Sequence, residues 1–345
     1  MTLTADWRAD LDGVDAALID GFQSGFPVES RPFRRVGEAI GVGEDEALAR
    51  VEALVERGLV RRFGAVLNPP VIGSSTLAAV RAPEGRFEEI ADVINAYRQV
   101  NHNYRRDHEW NMWFVVTAGS RETRDAILAE IEERTGCTVL NLPMLTDFYI
   151  NLEFPVVNAD RFARESASGT GEIEATVISE EATGGLSTLD TRVLLEIQGG
   201  LPLSYTPYAD VARTVGAEER AVLDSIRGLL DTGCIKRIGC VINHLVTGFD
   251  ANCMVVWDVP DDELDARGRA VGALPYVTLC YHRPRRSELG WEYDLFTMIH
   301  GREPAAVDAQ IDELAAEYLP YDHERLYSTE TLKQTGARYE ELLSG

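Results

Sequence analysis

VNHNYRRDHEWNMWFVVTA, residues 100–118, decides the fold. It reads as two strands meeting at a turn, 100–106 and 111–118, the second rich in aromatic and β-branched residues. The first strand and the turn hold His102, Tyr104, Arg105, Arg106 and His108. Two imidazoles, a phenol and two guanidiniums are more polar equipment than a sheet needs, although composition alone is equally compatible with a solvated hairpin face. A degenerate second copy, LCYHRPRRSELGWEYDLFTMIHG at 279–301, tips the balance. It again sets a Tyr-and-Arg segment, with Tyr281, His282 and Arg283, before an aromatic strand that ends in His300. The two hairpins are expected to form the walls of one site.

Working outward, a strand over 76–81 and a helix over 86–96 precede the hairpin. A helix over 121–134 and a strand near 145–152 follow it. That order is β-α-β-β-α-β, a ferredoxin-like domain. Upstream, helices are expected over 12–22, 32–40 and 44–57. Pro32 suits a first helical turn, Gly58 closes the third helix, and LVRRFGAVLNPPVIG reads as a short β-wing. Three helices and a wing make a winged helix-turn-helix.

The pattern then recurs. Gly25-Phe26-Pro27 returns as Gly200-Leu201-Pro202, Gly58 as Gly233, Arg62-Phe63-Gly64 as Arg237-Ile238-Gly239 and Gly73 as Gly248, all offset by 175 positions. The chain is therefore an α+β tandem duplication. A winged helix-turn-helix domain (1–72) and a ferredoxin-like domain (73–157) are joined by a Gly/Ser/Glu-rich linker (158–187) to a second winged helix-turn-helix (188–247). A second ferredoxin-like domain with a C-terminal tail (248–345) completes it, with a strand over 251–259, a helix over 261–271, the hairpin, a helix over 303–317 and a strand near 324–328. Such halves pair about a pseudo-two-fold axis, as subunits of a homodimer would; further homo-oligomerisation is left open.

The 345 residues carry a net charge of −24, and only Lys236 and Lys333 are lysines. An acidic, lysine-poor surface stays hydrated in concentrated salt and disfavours non-specific attraction to nucleic acid. There is no run of about 18 apolar residues, so no membrane span is expected. The N-terminus lacks the basic-then-apolar order of a signal peptide, which points to the cytoplasm. The five cysteines show no metal-ligand spacing and read as small buried hydrophobes.

Each two-domain half resembles the leucine-responsive/asparagine-regulator (Lrp/AsnC) family of transcription factors. A DNA-binding regulator needs basic or neutral residues where the third helix meets phosphate. Here those positions read Gly43-Glu44-Asp45-Glu46 and Ala217-Glu218-Glu219, which suit the helix dipole and repel phosphate. The hairpins resemble another family on the same architecture. His102-Asn103-Tyr104-Arg105 with Asn111-Met112-Trp113-Phe114 is similar to one subunit of the sirohaem decarboxylases. Cys280-Tyr281-His282-Arg283-Pro284, Trp291, Leu295-Phe296-Thr297-Met298-Ile299-His300-Gly301 and the tail Leu326-Tyr327-Ser328-Thr329 with Lys333-Gln334 are similar to the partner subunit.

The resemblance implies a fused two-subunit enzyme that removes the C12 and C18 acetate carboxylates of sirohaem. The product, 12,18-didecarboxysirohaem, serves haem d1 or sirohaem-dependent haem synthesis, with no organic cofactor and no metal beyond the iron of the substrate. Sirohaem carries eight carboxylates, so an acidic protein must concentrate cations locally to hold it. Arg105, Arg106, Arg283, Arg285 and Arg286 beside the hairpins and Arg61, Arg62, Lys236 and Arg237 on the wings are the candidates. A departing CO2 must be replaced by a proton, for which histidine is best poised near neutral pH. His102 is expected in that role, with Tyr104 and Arg105 orienting the substrate. His108, Trp113, Tyr281, His282 and His300 are expected to contact it. Each also has a plainer reading: His108 as a solvated turn, Trp113 as core, His300 as a partner for a backbone group, the wing arginines as surface charge. Leu279 stands where some partner subunits carry histidine: His282 substitutes for it, the second half completes the first half's pocket, or, the reading favoured here, one competent pocket performs both decarboxylations in sequence. A non-catalytic tetrapyrrole carrier or sensor would keep the arginines and aromatics yet have no need of His102.

Overall fold

A computed structural model describes residues 11–150, 175–178, 186–242, 251–301 and 303–335. Its strands are β1 (Val60–Leu67), β2 (Ser74–Val80), β3 (Val100–Arg106), β4 (Met112–Ala118), β5 (Val139–Pro143), β6 (Thr146–Ile150), β7 (Thr176–Val177), β8 (Ile235–Ile242), β9 (Ala251–Trp257), β10 (Val277–His282), β11 (Leu295–Gly301) and β12 (His323–Gln334). The described residues fall into two compact units. One joins the helix-turn-helix segments of both halves and the other joins both ferredoxin-like segments.

In the helix-turn-helix unit the duplication shows residue by residue. Helices Gly13–Gly21 and Thr188–Ile197 start with capping boxes, Asp12 with Asp15 and Ser187 with Asp190. Helices Pro32–Ile40 and Pro207–Val215 start on proline and stop at Gly41 and Gly216, both left-handed. The expected wings are not hairpins. Pro69–Ile72 is a helical turn, and β1 pairs antiparallel with β8, Gly64 opposite Gly239. Leu201 N donates to Phe63 O at 2.8 Å, and the equivalent Phe26 N donates to Ile238 O at 3.1 Å. A Cβ on Gly64 would stand 2.6 Å from Leu201 N, so glycine is what lets each strand cross the other half's loop.

In the ferredoxin-like unit a ten-stranded sheet runs β5-β2-β4-β3-β12-β9-β11-β10-β6-β7. Helices Phe87–Asn95 and Arg121–Thr135 cover one half, and Leu264–Gly272 and Pro304–Glu313 the other. The terminal strands are exchanged. β5 stays on β2, but β6 pairs with β10 of the second half. β12 runs along β9 as far as Tyr327 and then pairs with β3 of the first. Each hairpin edge is thereby covered by the partner half, which removes an exposed strand edge.

The single strand expected near 145–152 is thus two, β5 having been missed. The closing strand is longer than the 324–328 expected, and the last helix ends at Glu313 in a π-helical turn, Leu314–Tyr318. β7 lies inside the expected linker; the rest of 158–187, apart from Ala175, Ile178 and residues 186–187, lies outside the described residues, as do Gly248 and the tail beyond 335.

Candidate functional site

Alternation along each strand sends one set of side chains under the helices and the other to the opposite, inner face of the sheet. Phe114 and Val116 pack under the first half's helices, whereas Trp113 and Val115 belong to a separate core shared by both halves. Trp110, Tyr281, Trp291 and Phe296 complete that shared core. Trp113, fully buried and tilted against Trp291 at 5.3 Å, is therefore core and not a platform for a macrocycle.

Burial is uneven along this inner face. Toward the hairpin tip Arg106, Trp113, Arg283 and Phe296 are buried; toward the other end His102, Tyr104, Val115, Leu279, Met298 and His300 are half-buried. The second group is partly open to solvent and the first is not. His102 and Tyr104 project together from β3, their rings stacked 6.1 Å apart at 10°. Tyr104 Oη lies 3.4 Å from His102 Nδ1, at the long end of hydrogen-bond range. Burial pushes the Tyr104 phenol upward, and the Arg106 charge opposes that.

Arg106 and Arg283 fasten the two halves. Arg106 Nη1 donates to Leu326 O of the second half and Arg283 Nη1 to Leu142 O of the first. Their guanidiniums lie 6.0 Å from the Tyr104 ring and 4.7 Å from that of Tyr281. Both are buried, both leave Nε unbonded, and neither meets a carboxylate among the described residues. Burial lowers Arg106 to about 10, so it stays cationic at neutral pH. Two carboxylate-free cations in a chain of charge −24 make the inner face locally attractive to anions.

The second hairpin repeats the first with substitutions. Both carry the same register shift, between Val100 and His102 and between Val277 and Leu279. His102 faces Val115 across the hairpin; its counterpart Leu279 faces Met298. Asn101 Nδ2 donates to Thr117 Oγ1 at 3.1 Å, and the corresponding pair is Thr278 and His300, with Oγ1 and Nδ1 2.7 Å apart.

Other expected site residues lie elsewhere. Arg105 points under the helices, with Nη2 2.6 Å from Glu84 and its guanidinium 4.2 Å over the Phe87 ring, so it does not join His102 and Tyr104. His282 occupies the matching position on β10 and shares that orientation. Burial, then Arg285, lower its pKa. His108 is engaged in the turn: Trp110 N donates to Nδ1 at 2.9 Å, which leaves Nε2 to donate to Glu324 at 2.5 Å. Both ring nitrogens are thus engaged, one within the turn and one on β12.

Arg61, Arg62, Lys236 and Arg237 belong to the helix-turn-helix unit. Arg62 and Arg237 bond to the Gln198 and Gln23 carbonyls as a symmetric pair, so they serve the fold. Arg61 is exposed and lines a cavity of about 360 Å3 with Glu196 and Leu203.

Three features escaped the sequence reading. Thr278 is an unremarkable strand residue until its register is known. Lys333 Nζ reaches the Asn95 and Tyr97 carbonyls at 2.7 and 2.8 Å, at the end of helix Phe87–Asn95. Asp294, fully buried, accepts from Val259 N at 3.0 Å and pairs with Arg285 at 2.9 Å. Its pKa rises to about 6, chiefly through burial.

The fold is a tandem Lrp/AsnC-like one, with His102 and Tyr104 on the inner face of its shared sheet. The family profile described as "AsnC-like ligand binding domain" matches residues 72–149 and 246–333, and that described as "Siroheme decarboxylase NirDL-like HTH domain" matches 15–61 and 190–235. The siroheme decarboxylase NirDL subunit of Paracoccus denitrificans is 35% identical over 96% of this chain and 99% of its own length. The crystal structure of the siroheme decarboxylase NirDL superposes with a TM-score of 0.72 at 24% identity, covering 96% of each chain. A second structure of that enzyme, with TM-score 0.71, holds an iron-uroporphyrin III analogue. The chain belongs to the sirohaem decarboxylase family.

Proposed function

We propose that this chain removes the C12 and C18 acetate carboxylates of sirohaem, giving 12,18-didecarboxysirohaem for haem d1 or sirohaem-dependent haem synthesis, with His102 as a proton donor. The observation that carries the reading is the half-open end of the inner face, where His102 and Tyr104 stand on the same face as the buried, carboxylate-free cation of Arg106. Family membership supplies the substrate, and the geometry says how these residues serve it. Arg106 and Arg283 draw a polyanion to a protein that otherwise repels it. Where His102 acts, the C–C bond to the carboxylate breaks and CO2 leaves. The electron pair left on the methylene carbon takes a proton from the His102 imidazolium, and a methyl group remains. With Tyr104 against Nδ1, the proton departs from Nε2.

Each step consumes one proton and transfers no electrons, so the reading calls for no redox partner or organic cofactor. Acidic first turns at Glu44–Glu56 and Glu219–Asp231 speak against nucleic acid as a partner. Among the described residues no helix is long and apolar enough to cross a membrane, and we place the enzyme in the cytoplasm.

The test is anaerobic incubation with sirohaem in molar salt, with the product analysed by mass and by NMR. New methyl groups at C12 and C18 are expected. Tight binding with no change in mass would leave a carrier or sensor, and no binding would return the question to a regulator.

A further inference from the structure

We propose that His300 is the proton donor for one of the two decarboxylations, so that each half of the chain carries its own acid and the two acetates are processed at two centres. The proposal rests on the sirohaem reading and deepens it.

Leu279 removes the imidazole from the position equivalent to His102, which in sequence suggests that the second half is inert. The structure places another imidazole beside the vacancy. β11 alternates Phe296 and Met298 onto the inner face, with Leu295 and Ile299 under the helices, so His300 follows Met298 on the inner face. Met298 is the direct partner of Leu279. His300, two residues further along β11, is the diagonal neighbour of Leu279, within reach of a long or aromatic side chain. The acid has moved one strand over, at the same end of the hairpin.

The mounting matches the task. Thr278 Oγ1 donates to Met298 O at 3.0 Å, so its one proton is committed and it accepts from His300 Nδ1–H at 2.7 Å. Thr278 thereby holds Nδ1, and proton exchange is assigned to Nε2. In the first half a hydroxyl, Tyr104 Oη, likewise flanks Nδ1 of His102. Exposure has shifted to suit. Asn101 and Thr117, which occupy the positions of Thr278 and His300, are buried, whereas Thr278 and His300 are half-buried beside the half-buried Leu279 and Met298. Arg283 on the same face supplies the cation that Arg106 supplies in the first half. The reaction is the one already written: the C–C bond breaks, CO2 leaves, and Nε2–H of the His300 imidazolium protonates the carbon.

The experiment follows tetrapyrrole mass under anaerobic single-turnover conditions for the wild-type chain, His300→Gln and His300→Gln with Leu279→His. Glutamine keeps a donor for Thr278 but has no proton to transfer. Wild type is expected to lose two CO2. His300→Gln should lose the first at the wild-type rate and stall, the second slowing about 10^2-fold or more. Leu279→His should restore the second loss. Thr278→Val should slow the same step while leaving the other unchanged. Two losses at wild-type rates in His300→Gln, or both steps slowed alike, would overturn the proposal. Wild type that binds sirohaem without losing mass would overturn the functional reading itself.

Discussion

The two hairpins are built alike and equipped differently. Both lock to the opposite half through a buried arginine on a backbone carbonyl, Arg106 on Leu326 and Arg283 on Leu142, and both share a register shift at the same place. At the half-open end they diverge: His102 beside Val115 in the first, Leu279 beside Met298 with His300 next along in the second. What holds the halves together was kept, and the half-open end of the inner face was altered. Under the proposed reading, that division suits a symmetric scaffold that handles two acetates which are not equivalent on an asymmetric macrocycle.

The exchanged strands differ in a way that tests how far the halves are interchangeable. Phe148 on β6 packs so tightly on Gly268 that a Cβ there would overlap its ring, whereas the first half has Ala91 at that helical position and Leu332 on the covering strand. Gly268→Ala is expected to cost about 1–3 kcal/mol, since overpacking a filled core strains it. Adding Phe148→Leu should recover most of the loss, with urea midpoints as the measure. No recovery would show that the two pairings do not obey one packing rule.

A second difference is a single atom. Asn111 uses both ends of its amide on Ala82, at 2.8 Å each. Asp294 can only accept from Val259, and Arg285 fills in as donor to the Val259 carbonyl. The Asp294 pKa of about 6 lies above its ordinary value, so the folded state binds this proton more tightly than the unfolded chain does. Its stabilising contribution is complete below about pH 4 and is lost as pH rises through 6, a change on the order of 1–2 kcal/mol. Asp294→Asn, copying the first half, should flatten that window when urea midpoints are compared at pH 4.5 and 7.

Lys333 caps one helix end, and Tyr149 stands at the equivalent place on β6. Lys333→Met should destabilise by about 1 kcal/mol, read by thermal unfolding. The smallest effect expected is that of Tyr104→Phe. It removes a 3.4 Å contact to His102 and keeps the ring, so turnover should fall a few-fold, about 0.5–1 kcal/mol of barrier.

Much of this was legible in the sequence. The duplication, the helix-turn-helix and ferredoxin-like order and both hairpins follow from spacing, turn residues and strand period. Strand exchange was not, because pairing partners are long-range and β6 and β12 look like ordinary closing strands. The wings were misread for the same reason: β1 finds its partner in the other half, not in its own continuation. Of the expected trio His102, Tyr104 and Arg105, the first two share the inner face. Arg105, His108, His282 and Trp113 do not join them, because a polar or aromatic residue in a hairpin announces nothing about which face it takes. Sheet parity settles that, and parity depends on a register shift the sequence does not mark.

The central claim is that protonation at the half-open end of the inner face drives decarboxylation. It is tested most directly by His102→Leu, which gives the first half the residue the second half already has. Sirohaem mass is followed through one anaerobic turnover beside the wild-type chain. The account predicts two CO2 lost by wild type, and loss of at least one slowed about 10^2-fold or more in the variant with the fold intact. Both losses at wild-type rates in His102→Leu would contradict it.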